Sequence, residues 1–231
     1  MEKKQTNHFP LGRMPYREAW ALQRHFFNEV SKDESSDVLL SVEHLPVFTL
    51  GKTAKHEHLL IDEDLLKAEG IEILNVDRGG DITFHGIGQL VVYPIVNLKR
   101  RKPDIHVFLR DLEECVILTL DAFGIRAYRK SHPDKSQNYT GVWVGNQKIC
   151  AMGIRYSRFT TMHGLALNVT TNMQYFRHIV PCGISEYPVT SMHEIIGQSL
   201  SLEVVTKAFL KSYSEIFETA IVTNESLFTF G

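Results

Sequence analysis

The chain has 231 residues, 43% of them apolar and 23% charged. That balance is ordinary for a globular protein and the length suffices for one large or two small domains, which excludes a disordered chain, a collagen-like repeat and a disulfide-stapled miniprotein. Lys+Arg 25 against Asp+Glu 27 leaves a net charge of −2, without the basic footprint of a dedicated nucleic-acid binder.

The opening stretch MEKKQTNHFPLGRMPYREAW begins with basic residues, but Asn7, His8, Pro10 and Arg13 interrupt any apolar signal region. No run approaches the ~18 uninterrupted apolar residues of a membrane span. Cys115, Cys150 and Cys182 are odd in number and widely spaced, fitting neither a disulfide framework nor a zinc knuckle. These features predict a cytoplasmic, reducing setting and no membrane or nucleic-acid partner.

Pro15 at a first turn predicts a helix to about Val30, with Tyr16, Ala19, Trp20, Phe26, Phe27 and Val30 near one stripe. After the SKDESSD break, residues 37–50 predict a strand, a proline interruption and a second short strand. DEDLLKAEG reads as a brief helix closed by Gly70, and residues 71–76 and 90–96 as further strands. Asp104 is a good N-cap for a helix in which Ile105, Phe108, Leu109, Leu112, Val116, Leu120 and Phe123 recur at helical spacing until Gly124. From 125 to 170 the pattern is strand: IRAYR, GVWVG, KICAMGIRYSR after the Gly145-Asn146 turn, and HGLALNVT, with the polar KSHPDKSQNY between the first two. Ser201 caps a last helix to about Ala220, with Val204, Val205, Phe209, Tyr213, Ile216 and Phe217 inward. Strands and helices do not alternate regularly and no linker divides the chain. The expectation is a single α+β domain over residues 1–231, a central mixed β-sheet with flanking helices.

Arg78-Gly79-Gly80-Asp81-Ile82-Thr83-Phe84-His85-Gly86-Ile87-Gly88-Gln89 places four glycines between two strand-like runs. Glycine serves where backbone takes positive φ or approaches a ligand closely, so the stretch reads either as a loop along a bound chain or as a turn with structural hydrogen bonds from Arg78 and His85. Nucleotide motifs fail here. A dinucleotide fingerprint would need glycine at Val91, and Leu50-Gly51-Lys52-Thr53 lacks the first glycine of a phosphate loop at Pro46. There is no HExxH, and His56-Glu57-His58 reads as solvated surface, so no metal and no cofactor are expected.

A second pair of candidates is Lys148, at the head of KICAMGI, and Cys182, bracketed by Pro181 and Gly183. A free thiol titrating near ~8.5 is only about 3% thiolate at pH 7, and an ammonium that lowers its pKa to about 6.5 raises that to roughly three quarters. Each residue also has an ordinary reading, cysteine as a small buried hydrophobe and lysine as a solvated charge. Cys115 and Cys150 fall in a helix stripe and a strand interior, where packing is the expected role. Lys99-Arg100-Arg101-Lys102 reads either as a solvated loop or as a docking patch for an acidic protein.

Together, RGGDITFHGIGQLVVYPI (78–95), GVWVGNQKICAMGIRYSRFTTMHGLALNV (141–169) and PCGI (181–184) resemble the octanoyl-[acyl carrier protein]:protein N-octanoyltransferases over roughly residues 35–200. Lys52 and Phe84 stand where Arg and Tyr are expected. The resemblance implies a catalytic Cys182 that carries the acyl chain as a thioester, and a Lys148 that lowers its pKa. It implies acyl-chain binding by Arg78, Gly79, Gly80, Asp81, Ile82, Thr83, Phe84 and His85, by Ala151, Met152 and Gly153, and by Gly164, Leu165 and Ala166. His163, like His85, either orients substrate or bonds within its loop. The implied donor is octanoyl-acyl carrier protein, the acceptors are lipoyl domains of 2-oxoacid dehydrogenases or the glycine cleavage H protein, and the implied fold is that of biotin- and lipoate-protein ligase catalytic domains. Competing readings are an ATP-dependent lipoate ligase, an octanoyl amidotransferase between carrier proteins, and a non-catalytic acyl-carrier binding module.

Overall fold

The computed structural model describes residues 4–130, 139–180 and 188–224. Its elements are β1 (Lys4–Met14), α1 (Tyr16–Ser31), β2 (Asp37–His44), β3 (Val47–Leu50), α2 (Glu63–Ala68), β4 (Glu72–Asn75), β5 (Ile82–His85), β6 (Gln89–Ile95), α3 (Ile105–Asp121), β7 (Tyr128–Arg129), β8 (Gly141–Val144), β9 (Gln147–Ser157), β10 (Thr160–Asn168), α4 (Met192–Ile196), α5 (Leu202–Ile216) and β11 (Thr219–Thr223). Eight strands form a mixed sheet in the order β11-β1-β2-β6-β10-β9-β8-β7, and β4-β3-β5 form a smaller one. β1 runs parallel to both β2 and β11, whereas β2, β6, β10, β9, β8 and β7 pair antiparallel in succession. This is the expected α+β architecture. Among the described residues no helix is long and apolar enough to cross a membrane.

Strand alternation explains which face each helix covers. Leu90 and Val92 of β6 point toward α3 and α5, joining Phe108, Leu112, Val116, Val205 and Phe209 in one core. Val91, Tyr93 and Ile95 point the other way, toward Tyr16, Ala19, Phe27 and Val30 of α1. A third cluster, built on Phe48, Leu66, Ile82, Phe84 and Phe176, lies under the smaller sheet. Asp104 and Ser201 cap α3 and α5 with their side chains, as their positions suggest.

The departures have local causes. β1 contains Pro10 and a Gly12 at φ 64, and its register on β2 shifts between Pro10 and Arg13, so the sequence carries no clean strand signal there. The expected helix to Ala220 ends at Ile216; the chain reverses at Glu218, φ 48, and β11 follows. Val204, placed inward by periodicity, is 50% exposed. Of IRAYR only Tyr128 and Arg129 pair as strand. The glycine-rich stretch is not all loop, since its Ile82–His85 portion pairs antiparallel with β3.

Two histidines are buried in this frame without a charge partner. His8 hydrogen-bonds Ser41 Oγ at 2.8 Å, and His44 donates from Nδ1 to the Met14 carbonyl at 3.1 Å, which leaves its Nε2 to accept from Tyr93 Oη at 2.7 Å. Burial lowers both pKa values to about 4. Unfolded, each would titrate near 6.5, so between pH 6.5 and 4 the unfolded chain binds more protons than the folded one and stability falls as pH falls. The urea midpoint should therefore drop progressively across that window, with a shallower slope in His44→Gln; a midpoint flat from pH 7 to 4 would contradict the assignment of neutral buried rings.

Candidate active site

The segment between β4 and β5 is held down by its own arginine. Arg78 is buried and donates to the Thr49 carbonyl at 2.7 Å, to Thr49 Oγ1 at 2.9 and 3.2 Å, and to the Gly79 carbonyl at 3.1 Å. The Gly79 N–H then donates to the Ile154 carbonyl on β9 at 3.2 Å. That approach leaves no room for side chains. A Cβ on Gly153 would stand 2.6 Å from the Gly79 oxygen, and one on Gly51 would stand 2.3 Å from the Gly80 oxygen. Asp81 locks the far end, accepting the Ile82 N–H at 2.7 Å through Oδ1 and pairing with His58 Nδ1 at 2.5 Å through Oδ2. His58 is thus a partner of the site, whereas His56 remains exposed beside Glu63.

Between this segment and the large sheet lies a narrow cleft of about 50 Å³, partly open to solvent. Arg78, Gly80, Asp81, Ile82, Thr83 and His85 form one wall; Ala151, Met152 and Gly153 of β9 and His163, Gly164, Leu165 and Ala166 of β10 form another. Val91 and Tyr93 of β6 and Tyr16 of α1 complete it. Three separate stretches singled out by sequence therefore meet at one cavity. Two of the named residues do not line it. Gly79 contributes only backbone to β9, and Phe84 turns into the third core, stacked on Tyr175 at 4.5 Å between ring centroids. Tyr16, Val91 and Tyr93 line it without having been singled out, because on an apolar stripe they read as ordinary core.

Most of the polar groups buried around the cleft are hydrogen-bonded to one another. His163 Nε2 donates to Asp77 Oδ1 at 2.7 Å, leaving Nδ1 to accept from Tyr16 Oη at 3.3 Å, while Arg155 holds the other Asp77 oxygen at 2.6 Å. His163 sits at φ 61 inside β10, an uncommon conformation for a side-chain-bearing residue, and its N–H reaches Gln23 Oε1 at 2.9 Å. His85 Nδ1 bonds Gln89 Oε1 at 2.8 Å, and Gln89 passes the chain on to Asn168 at 2.9 Å. Desolvation pulls the His85 and His163 pKa values down and pushes Tyr16 up to about 12 and Tyr93 well above its usual range. At neutral pH these rings are polar but uncharged.

Lys148 is 5% exposed, which removes the solvated reading. Its Nζ donates to the Thr140 carbonyl at 3.3 Å and lies 4.8 Å from the centre of the Trp143 ring. It precedes the cleft residues Ala151–Gly153 on the same strand. Cys182 lies outside the described residues. The flanking chain on one side, Val180, donates to the His58 carbonyl at 2.8 Å, and on the other Pro188 accepts the Lys148 N–H at 2.9 Å. Cys115 and Cys150 are buried, and desolvation raises both thiol pKa values.

The basic run is largely committed to the fold. Arg100 pairs with Asp33 at 2.6 Å and Asp37 at 3.1 Å, and Arg101 pairs with Asp37 at 3.3 Å and donates to the Phe217 carbonyl at 2.6 Å. Lys99 and Lys102 stay exposed, so the run is not a free four-charge patch.

Gly153→Ala should separate the Gly79 peptide from β9, lowering stability by about 1–3 kcal/mol, the usual cost of overpacking. Urea unfolding measures the loss, and isothermal titration with octanoate should show binding abolished; wild-type stability and binding would mean the backbone contact is dispensable.

Against known proteins, the family described as the lipoyl protein ligase A/B catalytic domain matches residues 15–214. An octanoyltransferase of Caldanaerobacter subterraneus is 44% identical over 209 residues, covering 90% of this chain and 88% of that protein. Among solved structures, an archaeal bipartite lipoate protein ligase from Thermoplasma acidophilum superposes with a TM-score of 0.74 at 17% identity, covering 96% of this chain and 88% of that one. A biotin protein ligase from Aquifex aeolicus gives 0.51 at 15% identity, with coverage of 92% and 69%.

Proposed function

The chain belongs to the lipoyl protein ligase A/B catalytic-domain family, and we propose that it transfers an octanoyl or lipoyl group from acyl carrier protein to a lysine of a lipoyl domain through a thioester on Cys182. One observation carries the reading: a buried ammonium, Lys148, heads the strand whose next residues line a cleft walled mainly by apolar side chains and glycines. The whole chain serves as one catalytic domain, in a reducing cytoplasmic setting that keeps the thiol free.

The chemistry needs neither metal nor nucleotide. The Cys182 thiolate attacks the carbonyl of the carrier thioester, the carrier sulfur leaves with the electron pair and takes up a proton, and an acyl-enzyme thioester of similar energy remains. The acceptor amine then attacks that thioester, loses a proton, and expels Cys182 to leave a more stable amide. Splitting the transfer in this way replaces one difficult step with two easier ones. Lys148 favours the thiolate by charge, and the cleft takes the hydrocarbon at roughly 0.8 kcal/mol per buried methylene. The acceptors that fit are lipoyl domains of 2-oxoacid dehydrogenases and the glycine cleavage H protein. An ATP-dependent ligase of the same fold is disfavoured because the relatives of high identity are named octanoyltransferases, while the ligases share the fold at 17–18% identity.

Mixing the protein with octanoyl-carrier protein without ATP should add one octanoyl group by intact-mass spectrometry. Cys182→Ser should abolish both adduct and transfer, while Cys115→Ser and Cys150→Ser retain them, because serine is a far poorer nucleophile at neutral pH. Lys148→Ala should shift iodoacetamide alkylation of Cys182 to higher pH and slow acylation by about 10²–10⁴-fold. Transfer at the wild-type rate by Cys182→Ser would overturn the mechanism.

A further inference from the structure

Glu113, on α3 and outside the cleft, has 0% of its side chain exposed. A carboxylate withdrawn from water is costly unless its lone pairs are answered, so its partners are informative. Oε2 accepts from Arg110 Nη1 at 2.6 Å on the surface side and forms an ion pair, without hydrogen-bond geometry, with Arg129 Nε at 3.3 Å. Oε1 is directed inward and accepts the Gly141 N–H at 2.9 Å. The carbonyl of that same peptide unit is the Thr140 oxygen, which accepts Lys148 Nζ at 3.3 Å. The peptide is planar and trans, so its N–H and C=O point in opposite directions. Glu113 holds one end of the plane and the lysine takes the other.

Neighbouring groups restrict that plane further. Gly141 has φ 134 and its Cβ position is 2.5 Å from the Cys150 oxygen, so only glycine lets the chain press onto β9 there. The Trp143 indole N–H donates to the Tyr139 carbonyl at 3.2 Å while its ring lies under Lys148, and Lys130 shares the same ring at 4.8 Å. Three consecutive residues, Tyr139 to Gly141, are thereby fixed from Trp143, Lys148 and Glu113. Among the described residues, the charged groups about the lysine include Glu113, with Arg110 and Arg129 behind it, and Lys130 across the indole.

We propose that Glu113 is a positioning residue for the acyl-transfer reaction, setting the place and orientation of the Lys148 ammonium through the Thr140–Gly141 peptide. A carboxylate and an ammonium hydrogen-bonded to opposite ends of one amide polarise it in the same sense, so each bond strengthens the other. The inference rests on the reading of Lys148 and Cys182 given above.

The test compares three variants with Lys148→Ala. Glu113→Asp keeps the charge for Arg110 and Arg129 but withdraws the oxygen from Gly141; Glu113→Gln keeps an acceptor oxygen at full reach; Arg110→Gln removes one ion pair and leaves the peptide bond intact. Alkylation of Cys182 by iodoacetamide against pH should move upward in Glu113→Asp, and acyl-enzyme formation should slow by up to about 10²-fold, the scale of a 1 Å misplacement, with KM for the carrier little changed. Glu113→Gln should restore both toward wild type, and Arg110→Gln should lower the melting temperature without moving the alkylation curve. An unmoved curve in Glu113→Asp, with Lys148→Ala shifting it, overturns the positioning role alone. A curve that Lys148→Ala also leaves in place overturns the lysine–cysteine reading and this inference with it. A curve that follows melting temperature across all variants makes Glu113 merely structural.

Discussion

The contact between the Gly79 peptide and β9 is the constraint from which the cleft follows. A backbone carbonyl placed where Gly153 would carry its Cβ fixes the small sheet against the large one at a separation no side chain could set. A different close approach, within the large sheet, falls at Gly164, where a Cβ would stand 2.0 Å from the Val92 oxygen of the neighbouring β6. The cavity is the space left between two sheets joined backbone to backbone at one edge. Its width is a property of peptide geometry, while its length is set by the side chains that cap it. Arg78 contributes to this indirectly: its guanidinium is spent on Thr49 and Gly79 and holds the loop in place.

The polar groups that wall the cleft are either neutral or tied to protein partners, the Arg78 guanidinium to Thr49 and the Asp81 carboxylate to His58. Tyr16, Tyr93, His85 and His163 are neutral because burial opposes their ionisation, and their hydrogen-bonding groups turn toward protein partners. The charged pair at this end, Asp77 with Arg155, stands behind His163. Lys148, buried against an indole and a carbonyl, is outside the cleft lining but on the strand that supplies Ala151, Met152 and Gly153 to it.

Most of the central sheet is legible in the sequence because continuous apolar runs such as QLVVYPI and GLALN sit inside it with both faces covered. The caps Asp104 and Ser201 were equally legible, since an N-cap announces itself in three or four residues. What escaped was whatever depended on distant partners. Glu113 interrupts the α3 stripe and looks like a solvent-facing acid until Arg129 and Gly141 are brought to it by the fold. Arg100 and Arg101 look free until Asp33 and Asp37 arrive from the other side of α1. β1 and β11 are not legible locally because the one carries proline and glycine and the other is a short edge strand with polar residues, and both depend on pairing that no local pattern records. The cleft residues were found as glycine-rich stretches, but Tyr16 and Tyr93 were not, since an aromatic that lines a cavity has the same periodicity as one that fills a core.

The parallel pairing of β1 with both β2 and β11 bears on how the chain is made. Lys4 stands beside Thr219 in the sheet, so a strand synthesised before β2 is covered on its outer side by one synthesised after α5. During translation β1 can join β2 early, but its other edge stays open, with unpaired N–H and C=O groups, until α5 and β11 leave the ribosome. Contacts of such sequence separation also slow folding, because the loop must close before they reward it. Arg13 and Pro10 on that strand, a charge and a residue without an N–H, are the kind of feature that keeps a waiting edge from pairing with another chain.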